Sequence, residues 1–218
     1  MSSQPGRDHL KQLLSERNQN PDRVAQVDVQ LRETFERQVA ILALDMCNFT
    51  RLTTRRGIFH YLAMIHQMEE AARPAIEGNH GRVIKQEADN LFAIFDDPAH
   101  ALEGAIDVLR SFDAVNTVVP DERDIHASIG IGFGETLVIG DEDLFGKEMN
   151  FACKLGEDYG EPGEILLTPS AHAALPEGRY ACAPATYRIG GCDMTCYRFE
   201  KVLAPKPSGD AAPADPAG

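Results

Sequence analysis

The chain has 218 residues, 43% of them hydrophobic and 25% charged, the balance of a soluble globular domain with core enough to need no disulfide or metal staple. Lys and Arg number 21 against 34 Asp and Glu, a formal charge of −13, and a field of that sign excludes nucleic acid and anionic lipid as partners. A small phosphorylated ligand stays compatible, provided metal ions screen the charge locally.

Residues 1–36 are polar, with helical spacing through Leu10, Leu13 and Leu14 and again through Val27, Leu31 and Phe35. They predict one or two helices, parted at Pro21, that either meet a partner subunit or form a loosely packed leader. No apolar stretch near the start has the form of a secretion signal, and no run is long enough to span a bilayer, so a cytoplasmic protein is expected.

Residues 39–45 form a short apolar run ending at an acid, which suits a buried strand. Ile58, Leu62, Ile65, Met68, Ala72 and Ile76 then recur at helical spacing and predict an amphipathic helix, bent at Pro74. Val83-Ile84 and the run 91–95 flank Glu87-Ala88-Asp89-Asn90, the pattern of a β-hairpin. Asp97-Pro98 reads as a helix cap, and Leu102, Ala105, Ile106 and Leu109 mark the helix behind it. Residues 126–139, with glycines at 130, 132 and 134, predict a strand pair. A helix at 149–155, a strand at 165–167 and a final hairpin at 180–188 and 195–202 complete the order. Helices alternating with antiparallel strand pairs predict an α+β fold, one antiparallel-rich sheet with helices on one face. Residues 204–218, rich in Pro, Ala, Gly and Asp, predict a disordered tail.

The five cysteines are odd in number and scattered, the usage of a reducing compartment. Cys192 and Cys196 stand four apart, but no second Cys or His pair accompanies them at zinc spacing, so a structural role is expected.

Four stretches resemble the catalytic domain of class III nucleotidyl cyclases, the adenylyl and guanylyl cyclases. Asp45-Met46-Cys47-Asn48-Phe49-Thr50 is similar to the family's D-I-x-G-F-T, and Gly81-Arg82-Val83-Ile84-Lys85-Gln86-Glu87-Ala88-Asp89 to G-x-x-x-K-x-x-G-D. Ile129-Gly130-Ile131 with Gly134 is similar to its R-I-G-I-H-x-G strand. Asp143-Leu144-Phe145-Gly146-Lys147-Glu148-Met149-Asn150-Phe151-Ala152-Cys153-Lys154 is similar to D-x-x-G-x-x-V-N-x-A-A-R. The resemblance covers residues 37–203 and implies the palm-type, ferredoxin-like class III fold for that stretch.

It also implies a chemistry. Such an enzyme joins the ribose 3′ oxygen to the α-phosphate of a nucleoside triphosphate and expels pyrophosphate, using two divalent cations, Mg²⁺ or Mn²⁺. By resemblance Asp45, the Met46 carbonyl and Asp89 are the metal ligands, and the backbone around Phe49 and Thr50 holds the phosphates. Lys85 and Asp143 occupy the positions that read the base, and Asn150 and Lys154 those that stabilise the transition state. Adenine offers an acceptor at N1 and a donor at its amino group, which suit a Lys donor and an Asp acceptor. Guanine has the opposite polarity, so ATP is favoured. Cytosine shares adenine's polarity, so a pyrimidine cyclase stays open, as does a non-catalytic, nucleotide-binding homologue. In the family the metal acids come from one protomer and the other site residues from its partner, which implies a head-to-tail homodimer with shared sites.

The sequence departs from the family pattern at Lys154 for Arg, Ala88 and Asn48 for Gly, and Ser128 for Arg. A Lys keeps the charge of the Arg without its planar fork, so a slow enzyme is expected.

Overall fold

The computed structural model describes residues 5–47 and 57–204. Two helices come first, α1 (Arg7–Gln19) and α2 (Val24–Phe35), separated by a single turn at Pro21–Arg23. Proline has no N–H to continue the first helix, and its fixed φ suits the start of a new one. These helices are not a loose leader. Leu13, Val27 and Phe35 are buried against one another and against Ile139, so the polar segment contributes its few apolar residues to the core.

The chain then enters β1 (Glu36–Met46), α3 (Ile58–Gly78), β2 (Arg82–Glu87), β3 (Asn90–Phe95), α4 (Pro98–Asn116), β4 (Ala127–Ile139), β5 (Asp143–Phe145) and α5 (Lys147–Lys154). A π-helical turn, Leu155–Tyr159, continues α5, followed by β6 (Ile165–Leu167), α6 (Pro169–Ala173), β7 (Tyr180–Ile189) and β8 (Cys192–Val202). The eight strands make one sheet in the order β2-β3-β1-β4-β6-β8-β7, with β5 beside β4. Only the β4–β6 pair is parallel.

β1 lies between β3 and β4 and is covered on both faces, which explains why residues 39–44 read as one unbroken apolar run. Ala40, Leu42, Leu44 and Met46 face a core built with Met64, Met68, Ala72 and Ile76 of α3 and with Leu102, Ala105 and Val108 of α4. Val39, Ile41 and Ala43 face Met149 and Ala152 of α5 on the opposite side. Helices therefore flank the sheet on two faces, not one.

The glycines explain that arrangement and correct a second expectation. Residues 127–139 are one long strand, not a strand pair. Gly130, Gly132 and Gly134 do not mark a turn. They alternate along β4, so they share a face, and that face lies directly beneath α5. A Cβ at Gly130 would stand 1.9 Å from the Ala152 carbonyl oxygen, and one at Gly132 would stand 2.6 Å from that of Glu148. The helix rests on bare strand backbone.

Two sequence features form as expected. The Asp97 carboxylate caps α4, accepting from the Ala99 N–H at 2.6 Å. α3 runs through Pro74 to Gly78. Its apolar stripe is buried only from Met64 onward, and Ile58, Phe59 and Leu62 are exposed. No helix among the described residues is long and apolar enough to cross a membrane.

Candidate active site

Asp45 closes β1 on the α5 side of the sheet, since alternation places it with Val39, Ile41 and Ala43. It pairs in register with Asn90, the residue after Asp89. The Met46 N–H donates to the Asp89 carbonyl at 3.3 Å, which ties the β2–β3 turn to the end of β1. With its amide nitrogen turned toward β1, Asn90 donates to Asp45 Oδ1 at 3.0 Å and to the Leu44 carbonyl at 3.2 Å. The two acids are thus brought together by strand pairing alone.

Among the described residues no cation acts on this pair. Burial first, then the charges of Asp89, Glu157 and Asp158, push Asp45 up to about 7. Burial also raises Asp89. Glu157, in the π turn, is raised by burial and by Asp158, against the pull of Lys154. Among the described residues no group of three or more His, Cys, Asp or Glu is arranged to hold a metal on its own. Two half-buried, mutually repelling carboxylates nevertheless fit hard cations, which take one or two carboxylates and leave the rest of the shell to water and phosphate.

Lys85 and Asp143 also meet. Lys85 Nζ lies 2.8 Å from Asp143 Oδ1 and 3.0 Å from Glu87 Oε1, above the Phe92 ring at 5.1 Å from its centroid. A register shift between Val83 and Lys85 makes this possible. Val83 faces the α3–α4 core and Ile84 the opposite one. Strict alternation would return Lys85 to the α3–α4 side, and the bulge re-aims it toward Phe92 and β5. Burial acts to lower the Lys85 ammonium, but the bonds to Asp143 and Glu87 outweigh it and hold it raised. Asp143 lies below the usual carboxylate range, because the Lys85 bond and the Leu144 N–H overcome its burial.

Asn150 and Lys154 stand one turn apart on the exposed side of α5, and neither touches Lys85 or Asp143 within this chain. Lys154 Nζ lies 2.6 Å from Asp158 Oδ2. Phe49, Thr50 and Asn48 lie outside the described residues.

The chain matches the family described as the adenylate and guanylate cyclase catalytic domain over residues 31–201. It belongs to that family. Among curated relatives, a Rhizobium meliloti protein named as an adenylate cyclase is 28% identical over 142 residues, 65% of this chain and 24% of its own length. An adenylate cyclase of Streptomyces coelicolor is 28% identical over 141 residues, 65% of this chain and 35% of its own. The chain thus spans about a quarter to a third of the length of these relatives. Among solved structures, the guanylyl cyclase Cya2 superposes with a TM-score of 0.70 at 20% identity, covering 78% of this chain and 95% of that one, a likeness of fold. An adenylate/guanylate cyclase/hydrolase from Silicibacter pomeroyi reaches a TM-score of 0.63 at 25% identity, covering 75% and 96%.

Against the cyclase pattern, two departures acquire physical content. Ala88 stands at φ +54° in the β2–β3 turn, the left-handed conformation that a glycine would adopt without strain. Ser128 is buried and spans two elements. Its hydroxyl donates to the Gly156 carbonyl at 2.7 Å and accepts from Cys47 Sγ at 3.7 Å. It thus fastens β4 to the π turn, and an arginine could not occupy that volume. Sequence reasoning passed over four neighbours of the site: Arg7, Glu87, Glu157 and Asp158. The Asp158 pairing was discoverable from its spacing four residues after Lys154. Nothing local pointed to Arg7, which reaches the site from more than a hundred residues away. Cys196 is buried with Leu155, Leu166 and Ile189, a packing role, and all five cysteines are free thiols.

Proposed function

We propose that the protein is a nucleotidyl cyclase that converts ATP to 3′,5′-cyclic AMP and pyrophosphate, at two equivalent sites shared in a head-to-tail homodimer in the cytoplasm. The observation that carries the choice of substrate is the Lys85–Asp143 contact at 2.8 Å. It sets a cationic donor beside an anionic acceptor, with the polarity that the N1 and amino edge of adenine requires. Guanine would set donor against donor and acceptor against acceptor, an arrangement that leaves buried polar groups unpaired and is strongly rejected.

Asp45 and Asp89, with the Met46 carbonyl, would hold two divalent cations, Mg²⁺ or Mn²⁺, whose chemistry is to acidify the ribose 3′-hydroxyl and screen the triphosphate. Backbone N–H groups around Phe49 and Thr50 would hold the phosphates. Asn150 and Lys154 share the exposed side of α5 and would donate to the phosphate oxygens as charge gathers there. Lys154 is raised by its bond to Asp158, so it stays charged throughout turnover.

One feature supports a shared site. The apolar residues Ile58, Phe59 and Leu62 are exposed at the start of α3, a surface that a second copy would cover. Mixing Lys85→Ala with Asp45→Ala chains tests the arrangement, since a mixed dimer rebuilds one intact site. Recovered activity is the expected result, and none in verified mixed dimers would refute the arrangement.

The test of the reaction is incubation with ATP, GTP, CTP and UTP separately, each with Mg²⁺ and with Mn²⁺, and identification of products by mass. Cyclic AMP from ATP is the expected result. A cyclic pyrimidine nucleotide would mean that pocket size, not edge polarity, selects the base. No product from any nucleotide, with the dimer verified, would make the chain a nucleotide-binding homologue.

A further inference from the structure

Arg7, the first residue of α1, reaches Asp143. Its guanidinium donates to Asp143 Oδ2 at 2.9 Å, and its backbone N–H donates to Glu142 Oε1 at 3.2 Å. Asp143 Oδ1 is already engaged twice, by Lys85 Nζ at 2.8 Å and by the Leu144 N–H at 2.9 Å. A carboxylate has about four acceptor directions. Three are filled, and the one left open is on Oδ2. Lys85 has used two of its three N–H groups, on Asp143 and Glu87. The assembly therefore offers a base one donor and one acceptor, and Arg7 fixes which oxygen carries the acceptor.

The geometry is built, not incidental. Asp143 and Lys85 are only 13% and 17% exposed, and Arg7 lies over them at 48%. α1 is anchored to the body of the protein through Leu13, buried with Val27, Phe35 and Ile139. Arg7 is thus held at the start of a docked helix. At Gly6 a Cβ would stand 2.5 Å from Glu142 Oε1, so the chain passes close against the residues before β5.

We propose that Arg7 is a positioning residue for base selection, locking the Asp143 carboxylate as a fixed acceptor so that a base bearing an amino donor is accepted and one bearing a carbonyl is refused. Without Arg7 the carboxylate can turn about its Cβ–Cγ bond, and Oδ2 can take water in place of the guanidinium. Its bond to Lys85 then no longer sets a single orientation. The fixed penalty against guanine shrinks, because a mobile carboxylate can swing away from a carbonyl. The polar leader helices thereby become part of the nucleotide specificity of the domain.

This inference rests on the reading of Lys85 and Asp143 as the base-reading pair, so the experiment carries its own control. Equilibrium binding of non-cyclisable ATP and GTP analogues is measured for the full chain and for Arg7→Ala, Arg7→Lys and Asp143→Ala, alongside kcat and KM with ATP and melting temperatures. Asp143→Ala is expected to abolish the preference for ATP over GTP. Arg7→Ala is expected to reduce that preference by about three- to tenfold, the weight of one net hydrogen bond. The loss should fall on KM rather than kcat, and Arg7→Lys should restore at least half of it. If Asp143→Ala erases the preference while Arg7→Ala leaves it intact, Arg7 is only a surface tether and the inference is wrong. If Arg7→Ala selectively weakens GTP, Arg7 is itself a base donor, and the inference is also overturned. If Asp143→Ala leaves the preference unchanged, the base-reading assignment fails and the inference falls with it.

Discussion

Asp45→Asn should make the metal-free protein more stable. Asn keeps the size of Asp and an oxygen that can accept from Asn90, so the substitution removes charge and little else. In the folded chain the Asp45 carboxyl is pushed from its ordinary 3.8 up to about 7, by burial and by Asp89, Glu157 and Asp158. The folded state therefore binds its proton more tightly than the unfolded state, and stability falls as pH rises from about 4 to about 7. Above that window the whole penalty of the charged form stands. A difference of roughly three pH units corresponds to about 4 kcal/mol, and water around the half-exposed side chain reduces that to about 2 kcal/mol. For a chain of this length such a change moves the melting temperature by about 4–8 °C. The assay is thermal unfolding in chelator at pH 8 and pH 5, repeated at pH 8 with Mg²⁺ or Mn²⁺. In chelator at pH 8 the variant should melt higher, and at pH 5, inside the window where the penalty is still building, the gap should be smaller. Added cation should raise the native chain and leave the variant unmoved. Equal melting in chelator at pH 8, or a gap as large at pH 5 as at pH 8, would refute the account of this acid cluster.

Ala88→Gly should stabilise the chain by about 1 kcal/mol in urea titration, by relieving the left-handed strain at φ +54°. Gly130→Ala should cost about 3 kcal/mol or more and lower activity with it, because the new methyl would stand 1.9 Å from the Ala152 carbonyl oxygen; a normal melting temperature would sink this reading of β4. Lys154→Arg should raise kcat by up to about tenfold, equivalent to about 1.4 kcal/mol of transition-state stabilisation. An unchanged kcat would mean that the cation there serves only as a point charge.

Local chemistry explains which features could be read in advance. The buried run of β1, the Asp97-Pro98 cap and the β2–β3 hairpin were legible because each depends on neighbours in sequence. The glycines of β4 were misread because a glycine at a turn and a glycine beneath a helix look alike until the helix is placed. The leader was underrated because Leu13, Val27 and Phe35 are too few to signal burial without Ile139 opposite them. At the site, the residues at the positions of Asp45, Asp89, Lys85 and Asp143 could be found by pattern. The bulge that aims Lys85, and Arg7 closing over Asp143, depend on pairings between distant segments. Ile58 and Leu62 belong to the apolar stripe by periodicity yet are exposed, because periodicity reports that a face is apolar but not what covers it.

The alternating glycines of β4 also change how genetic variation in this chain should be interpreted. At these three codons every missense change adds an atom where α5 already rests, so a mutational scan would score them as intolerant as Asp45 and Asp89, the acids proposed to hold the cations. None of the three has a side chain to touch a substrate. A map built from such a scan would therefore outline two overlapping territories. One would be defined by chemistry, and the other by the clearance between a helix and the strand beneath it.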